Sequence, residues 1–135
     1  MKISNMGEEV QKNKFKKSEE WFKDVIKSQI KSVLEKLLIE RGVNIDKIVI
    51  FGSFVTGKLT RDSDIDVVIV SRDFRGKSIF ERVKMTSGIG RELVKKFKMP
   101  FDLLYYSDEE WEKESFLIIN EAKEKGEVIY SRKGN

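Results

Sequence analysis

The chain contains neither cysteine nor histidine. Those two absences remove disulfides, thiolate zinc sites, Ser-His triads and Cys-His nucleophile pairs. Any metal must then be held mostly by carboxylates and other oxygen ligands, a donor set suited to Mg²⁺ or Mn²⁺. No apolar run approaches the ~20 residues that span a bilayer. No apolar segment follows Lys2 either, so the N-terminus does not read as a signal peptide. The expectation is a cytoplasmic protein with no membrane role. A single proline, Pro100, stands where a helix should stop.

The 135 residues suit one domain, long enough for one core and too short for two. Hydrophobic residues at 39% beside charged residues at 37% describe a globular chain with a heavily charged surface. A net charge of +4 is too small for a strong polyanion binder. The basic residues are uneven, however. Lys12, Lys14, Lys16 and Lys17 cluster early, and Lys95, Lys96 and Lys98 close a later helix. They read as a solvated arm and a helix end matched to its dipole, with a phosphate-contacting, nucleic-acid-facing surface as the alternative.

Residues 1–16 lack periodicity and are expected to form a flexible basic arm, with one domain over 17–135. A helix is predicted from near Ser18 to Arg41, its face built from Trp21, Phe22, Val25, Ile26, Ile30, Val33, Leu34, Leu37 and Leu38. Gly42 stands at its C-cap. Ile48–Phe51 is an uninterrupted apolar run, typical of a strand covered on both faces, and Ile65–Val70 is a second, β-branched run that reads as another buried strand. Ser78–Glu81 has the form of a capping box, opening a helix that carries Phe80, Val83, Leu93, Val94 and Phe97 inward. Gly88 and Gly90 weaken its middle and invite a kink. They lie inside a helical pattern, which rejects a dinucleotide loop. Phe101–Tyr106 reads as a third strand. Ser107–Glu110 opens a last helix running to Lys125 before Gly126, and Val128–Tyr130 can add an edge strand. The order predicts an α/β (α+β) domain, a mixed, largely buried sheet flanked by helices.

The informative stretch is Gly52-Ser53, ten residues, then Asp64-Ile65-Asp66 leading into Val67–Val70. Side chains alternate along a strand, so Asp64 and Asp66 share one face. Two carboxylates ~7 Å apart along the backbone can converge on divalent ions ~3.5–4 Å apart. Without such ions the acids repel and one pKa rises. The bland alternative, acids that merely solvate a strand end, is weakened by three features. The pair opens a strand that reads as buried, where acids are costly. Asp102 interrupts another apolar strand. Gly52-Ser53 ends a strand where glycine lets backbone N–H groups approach a phosphate.

Together these residues, GSFVTGKLTRDSDIDVVIV with a later strand Asp, resemble the minimal nucleotidyltransferases of the DNA polymerase β superfamily, and most of all the antitoxins of MNT–HEPN toxin–antitoxin pairs. The resemblance covers roughly residues 18–125. Haloacid-dehalogenase-type phosphatases place their acids after the strand, whereas here the strand follows. DxD glycosyltransferases usually need a longer chain. The resemblance implies a nucleotidyltransferase fold and transfer of a nucleoside monophosphate, AMP from ATP, to an acceptor hydroxyl. Gly52 and Ser53 would bind the β- and γ-phosphates, Asp64 and Asp66 two Mg²⁺ ions (or Mn²⁺), and Asp102 would complete the ion near the acceptor. It also implies a HEPN-type toxin as acceptor and partner. The alternative is a non-catalytic antitoxin that acts by binding. A second copy of the chain could also close the site. Lys58 and Arg61 are candidates to neutralise the triphosphate, or are ordinary loop charges, and Asp62 reads as a turn residue. Tyr105, Tyr106, Trp111 and Phe116 read as core or partner surface.

Overall fold

The computed structural model describes residues 3–57 and 63–132, with side chains from Glu19 onward. Helix α1 (Ile3–Glu40) presents Ile26, Ile30, Leu34 and Leu38 as a buried stripe at four-residue spacing. Its end is a Schellman turn. Gly42 takes φ +73°, its N–H donates to Ile39 O, and the Val43 N–H donates to Leu38 O. Two expectations change here. The helix begins at Ile3, through the stretch expected to be an arm without periodicity. That stretch holds Glu8, Glu9, Gln11 and several lysines and lacks proline, so an established helix can lengthen through it without an apolar face. Trp21 is 67% exposed, and Phe22 is exposed too, because the packed stripe starts only at Ile26.

Four strands form one mixed sheet in the order β3-β2-β1-β4. Strand β1 (Lys47–Phe51) runs antiparallel to β2 (Ile65–Val70), with Phe51 opposite Asp66. On its other side β1 pairs antiparallel with β4 (Glu127–Ser131), the anticipated edge strand. Strand β3 (Phe101–Tyr106) lies parallel to β2, with Asp102 opposite Asp66. Both central strands are buried on both faces, as their apolar runs predict. Ile48, Ile50, Ile65, Val67 and Ile69 pack with the α1 stripe, Phe54, Phe74, Ile89 and Leu93. Val49, Phe51, Val68 and Val70 pack on the opposite face with Trp111, Ile119 and Ala122. The domain therefore has three layers, with Asp66 in the second set by alternation.

The helices between strands are shorter than periodicity suggests. One helix was expected after Ser78, yet α3 (Ile79–Met85) and α4 (Ile89–Phe97) are separated at Gly88, which takes φ +86°. The break changes which residues face inward. Phe80 is 86% exposed, Val83 and Val94 are also exposed, and Leu93 alone of the expected five is fully buried, with Phe97 half-buried. The buried side chain of α3 is Arg82. Likewise the helix expected over Ser107–Lys125 is two, α5 (Asp108–Lys113) and α6 (Leu117–Lys125), parted where Glu114 adopts φ +52°. Ser107 and Glu110 form the anticipated capping box, and Gly126 ends α6. A short α2 (Ser53–Thr56) and a 3₁₀ turn (Arg72–Phe74) complete the fold. Among the described residues no helix is long and apolar enough to cross a membrane.

Candidate active site

The end of β1 and the starts of β2 and β3 meet at one margin of the sheet. There the register places Asp66 between Phe51 on one side and Asp102 on the other. Asp64 precedes β2 by one residue, and alternation keeps it in phase with Asp66. Asp64 and Asp102 are exposed, and Asp66 is half-buried. Burial first, then the neighbouring charges of Asp102, Asp64 and Glu121, raise the pKa of Asp66 above its ordinary 3.8. The three acids singled out from the sequence are thus brought together.

Gly52 follows β1 with φ +81° and ψ −158°, a conformation available to glycine. A Cβ there would lie 2.1 Å from Asp66 Oδ2, so the glycine backbone rests directly against the carboxylate. Its carbonyl accepts from the N–H groups of Val55 and Thr56 and from Thr56 Oγ1, each at 3.1 Å, which folds the chain into α2. Phe54, fully buried, anchors that turn in the core, and Ser53 stays exposed beside it. Lys58, Arg61 and Asp62 lie outside the described residues, as do the side chains of Lys12, Lys14, Lys16 and Lys17.

Two further residues belong to this margin and carry no sequence signal. Glu121, on α6, adds a third negative charge felt by Asp66, after Asp102 and Asp64. Lys23, on α1, donates from Nζ to the Gly57 carbonyl at 2.7 Å and ties the helix to the end of the Gly-Ser turn. Nothing in the local pattern around either position marks it, because each arrives from a distant helix.

The donor set is all oxygen and strongly anionic, the chemistry that suits a hard dication. Its charge crowding is the conflict such an ion would relieve. Still, among the described residues no group of three or more Asp or Glu side chains is arranged to hold a metal ion. The donors fit in kind, and side-chain rotation is needed to close them on an ion.

A model of the nucleotidyltransferase domain matches residues 26–129. The fold is similar to a candidate nucleotidyltransferase from Sulfolobus solfataricus, at 18% identity and TM-score 0.58, covering 84% of this chain and 86% of that one. It is also similar to a toxin–antitoxin structure with AMP-PNP, at 20% identity and TM-score 0.55, covering 74% and 72%. A mutant of the toxin–antitoxin pair MntA-HpeT aligns at 18% identity and TM-score 0.51, covering 73% and 70%. At these identities the likeness establishes the fold. No curated protein sequence matches the chain.

Proposed function

Because the chain belongs to the nucleotidyltransferase domain family, we propose that it transfers a nucleoside monophosphate, AMP from ATP, to a hydroxyl of a partner protein, a HEPN-type toxin. The observation that carries this reading is the register of Asp66 against Asp102 with Gly52 seated under the Asp66 carboxylate. Gly52 and Ser53 bind the β- and γ-phosphates through backbone N–H groups. Asp64 and Asp66 would hold two Mg²⁺ ions, or Mn²⁺, with Asp102 as the third carboxylate, on the acceptor's side. When bound, the ions stabilise the charge on the entering and leaving oxygens. Asp102 takes the acceptor's proton. The acceptor oxygen bonds to the α-phosphorus, the bond to the bridging oxygen breaks, and pyrophosphate leaves. Lys23 keeps the end of the Gly-Ser turn in place through the Gly57 carbonyl.

AMP-PNP in a structural neighbour supports nucleotide use, and the toxin–antitoxin neighbours support a toxin as partner. A second reading, an antitoxin that acts by binding alone, draws on the lack of a formed cage among the described acids. One experiment separates the two. The protein is incubated with α-labelled NTPs, Mg²⁺ and candidate acceptors, HEPN-type toxins first. Label on the acceptor, preferentially from ATP and dependent on Asp66, is expected. Toxin neutralised with no label transferred would select the second reading.

A further inference from the structure

Strand β3 is an edge of the sheet, with β2 on one side only. In a parallel pair, alternate residues direct both N–H and C=O toward the neighbour. Ile65 N–H donates to Pro100 O and Ser71 N–H to Tyr106 O, so the even-numbered residues of β3 face β2. The N–H and C=O groups of Phe101, Leu103 and Tyr105 therefore point outward. Arg82 Nη1 occupies the Tyr105 carbonyl at 2.9 Å, closing that end of the edge. The open stretch runs from Phe101 to Leu103 and brackets Asp102.

A groove of about 130 Å³ begins at Leu103, where the open stretch ends, and is lined by Ile79, Arg82 and Val83 of α3 and by Leu103–Tyr106 of β3. Beside it the side chains of Ile79, Phe80 and Val83 are exposed, an apolar cluster on one short helix. Unpaired strand edges next to apolar surface are usually guarded by charge, proline or a covering element. Among the described residues the guard, Arg82, stops at Tyr105, and the unguarded part lies beside the acid assigned to the acceptor hydroxyl.

We propose that this edge binds an extended segment of the acceptor polypeptide as an added strand, with a side-chain hydroxyl set opposite Asp102. The proposal rests on the transferase reading for its choice of occupant. Strand addition satisfies the outward backbone groups and takes alternate side chains into pockets. A residue paired with Asp102 projects to the same face, its Cβ about 4.5–5.5 Å away. Its neighbours project to the other face, beside Phe101 and Leu103. The acceptor class is thus a peptide with a central Ser, Thr or Tyr flanked by apolar residues. A compact folded surface or a small-molecule alcohol does not meet these requirements.

The test uses a pooled library of nine-residue peptides with Ser, Thr or Tyr at the centre and Val, Ile, Leu or Phe at its flanks. The tightest binder is added to isotope-labelled protein, and amide hydrogen exchange is read residue by residue. Exchange at the Leu103 amide should slow at least tenfold. Val83→Glu, at an exposed site that leaves the fold intact, should weaken peptide binding at least tenfold. No binder in the pool, a binder that leaves Leu103 unprotected, or an unchanged affinity in the variant overturns the proposal. So does protection of Leu103 that appears without peptide and grows with protein concentration, the sign of a second copy on the edge. Transfer of label from ATP to the bound peptide is scored separately. Protection without transfer supports the docking and counts against the transferase reading, and transfer without protection does the reverse.

Discussion

Asp66 and Gly52 are the residues whose environments decide most. Burial and the charges of Asp102, Asp64 and Glu121 raise the Asp66 pKa, so the folded chain binds that proton more tightly than the unfolded chain. The sign follows. Stability is lost as pH rises from about the ordinary 3.8 through the higher folded value, and the loss persists at neutral pH. Asp66→Asn should therefore melt above the wild type at pH 7, with the gap closing below pH 4, while transfer falls to background. Thermal melts across pH with a labelled-ATP assay check both. A variant less stable at pH 7, or still active, would contradict the assignment. Gly52→Ala meets a different obstacle, an atom 2.1 Å from Asp66 Oδ2 together with a positive φ. It should cost about 1–3 kcal/mol and weaken nucleotide binding more than tenfold by calorimetry. Unaltered binding in the folded variant would remove the phosphate cradle.

At the scale of elements, the strands were legible and the helices only in part. Ile48–Phe51 and Ile65–Val70 read as doubly covered strands because every residue but Asp66 is apolar, and the apolar ones are buried. Local pattern also singled out Asp66 and Asp102, since each acid interrupts or opens an apolar run, but their register against one another comes from how β2 and β3 pair. The kink invited by Gly88 is a full break, and the break at Glu114 was hidden by helical periodicity, which persists in sequence after the axis has changed direction. Arg82 shows the consequence. Three apolar neighbours on α3 face outward, while its guanidinium is buried against the Tyr105 carbonyl and Glu110 Oε1 at 2.7 Å. No local rule places an arginine inward when Ile79, Phe80 and Val83 lie beside it. Glu121 and Lys23 were equally silent, because their relevance comes from where α6 and α1 pack. Burial alone would raise the Glu110 carboxyl, but hydrogen bonds from Arg82 and the Ser107 N–H outweigh it and hold it below its ordinary value. Arg82→Ala strands that carboxylate and should destabilise the domain by about 3–5 kcal/mol, whereas Ser107→Ala, which removes one cap bond, should cost about 1 kcal/mol. Denaturant midpoints measure both, and equal losses would mean that the pair and the cap were weighed wrongly.

On the scale of the whole molecule, the acids lie on an open margin. Asp64, Asp102 and Ser53 are exposed, and among the described residues nothing covers that end of the sheet. Phosphoryl transfer depends on electrostatics that strengthen when water is excluded. A triphosphate on this platform would stay wet on one side, so another surface has to complete the enclosure. The added strand on β3 brings one such surface to Asp102, and the exposed Trp21 and Phe22 stand on the same helix as Lys23, which reaches the Gly-Ser turn. The expected outcome is that the protein alone binds ATP weakly, and that the acceptor tightens ATP binding about tenfold, a coupling of ordinary size for linked sites. By reciprocity ATP must tighten acceptor binding by the same factor. Mg²⁺ should be required throughout, with EDTA abolishing the coupling as well as transfer. Calorimetry in both directions at matched Mg²⁺ reads the factor twice, which guards against an artefact in either titration. Tight ATP binding and rapid turnover onto a small-molecule alcohol by a proven monomer would show that the margin needs no partner to close it.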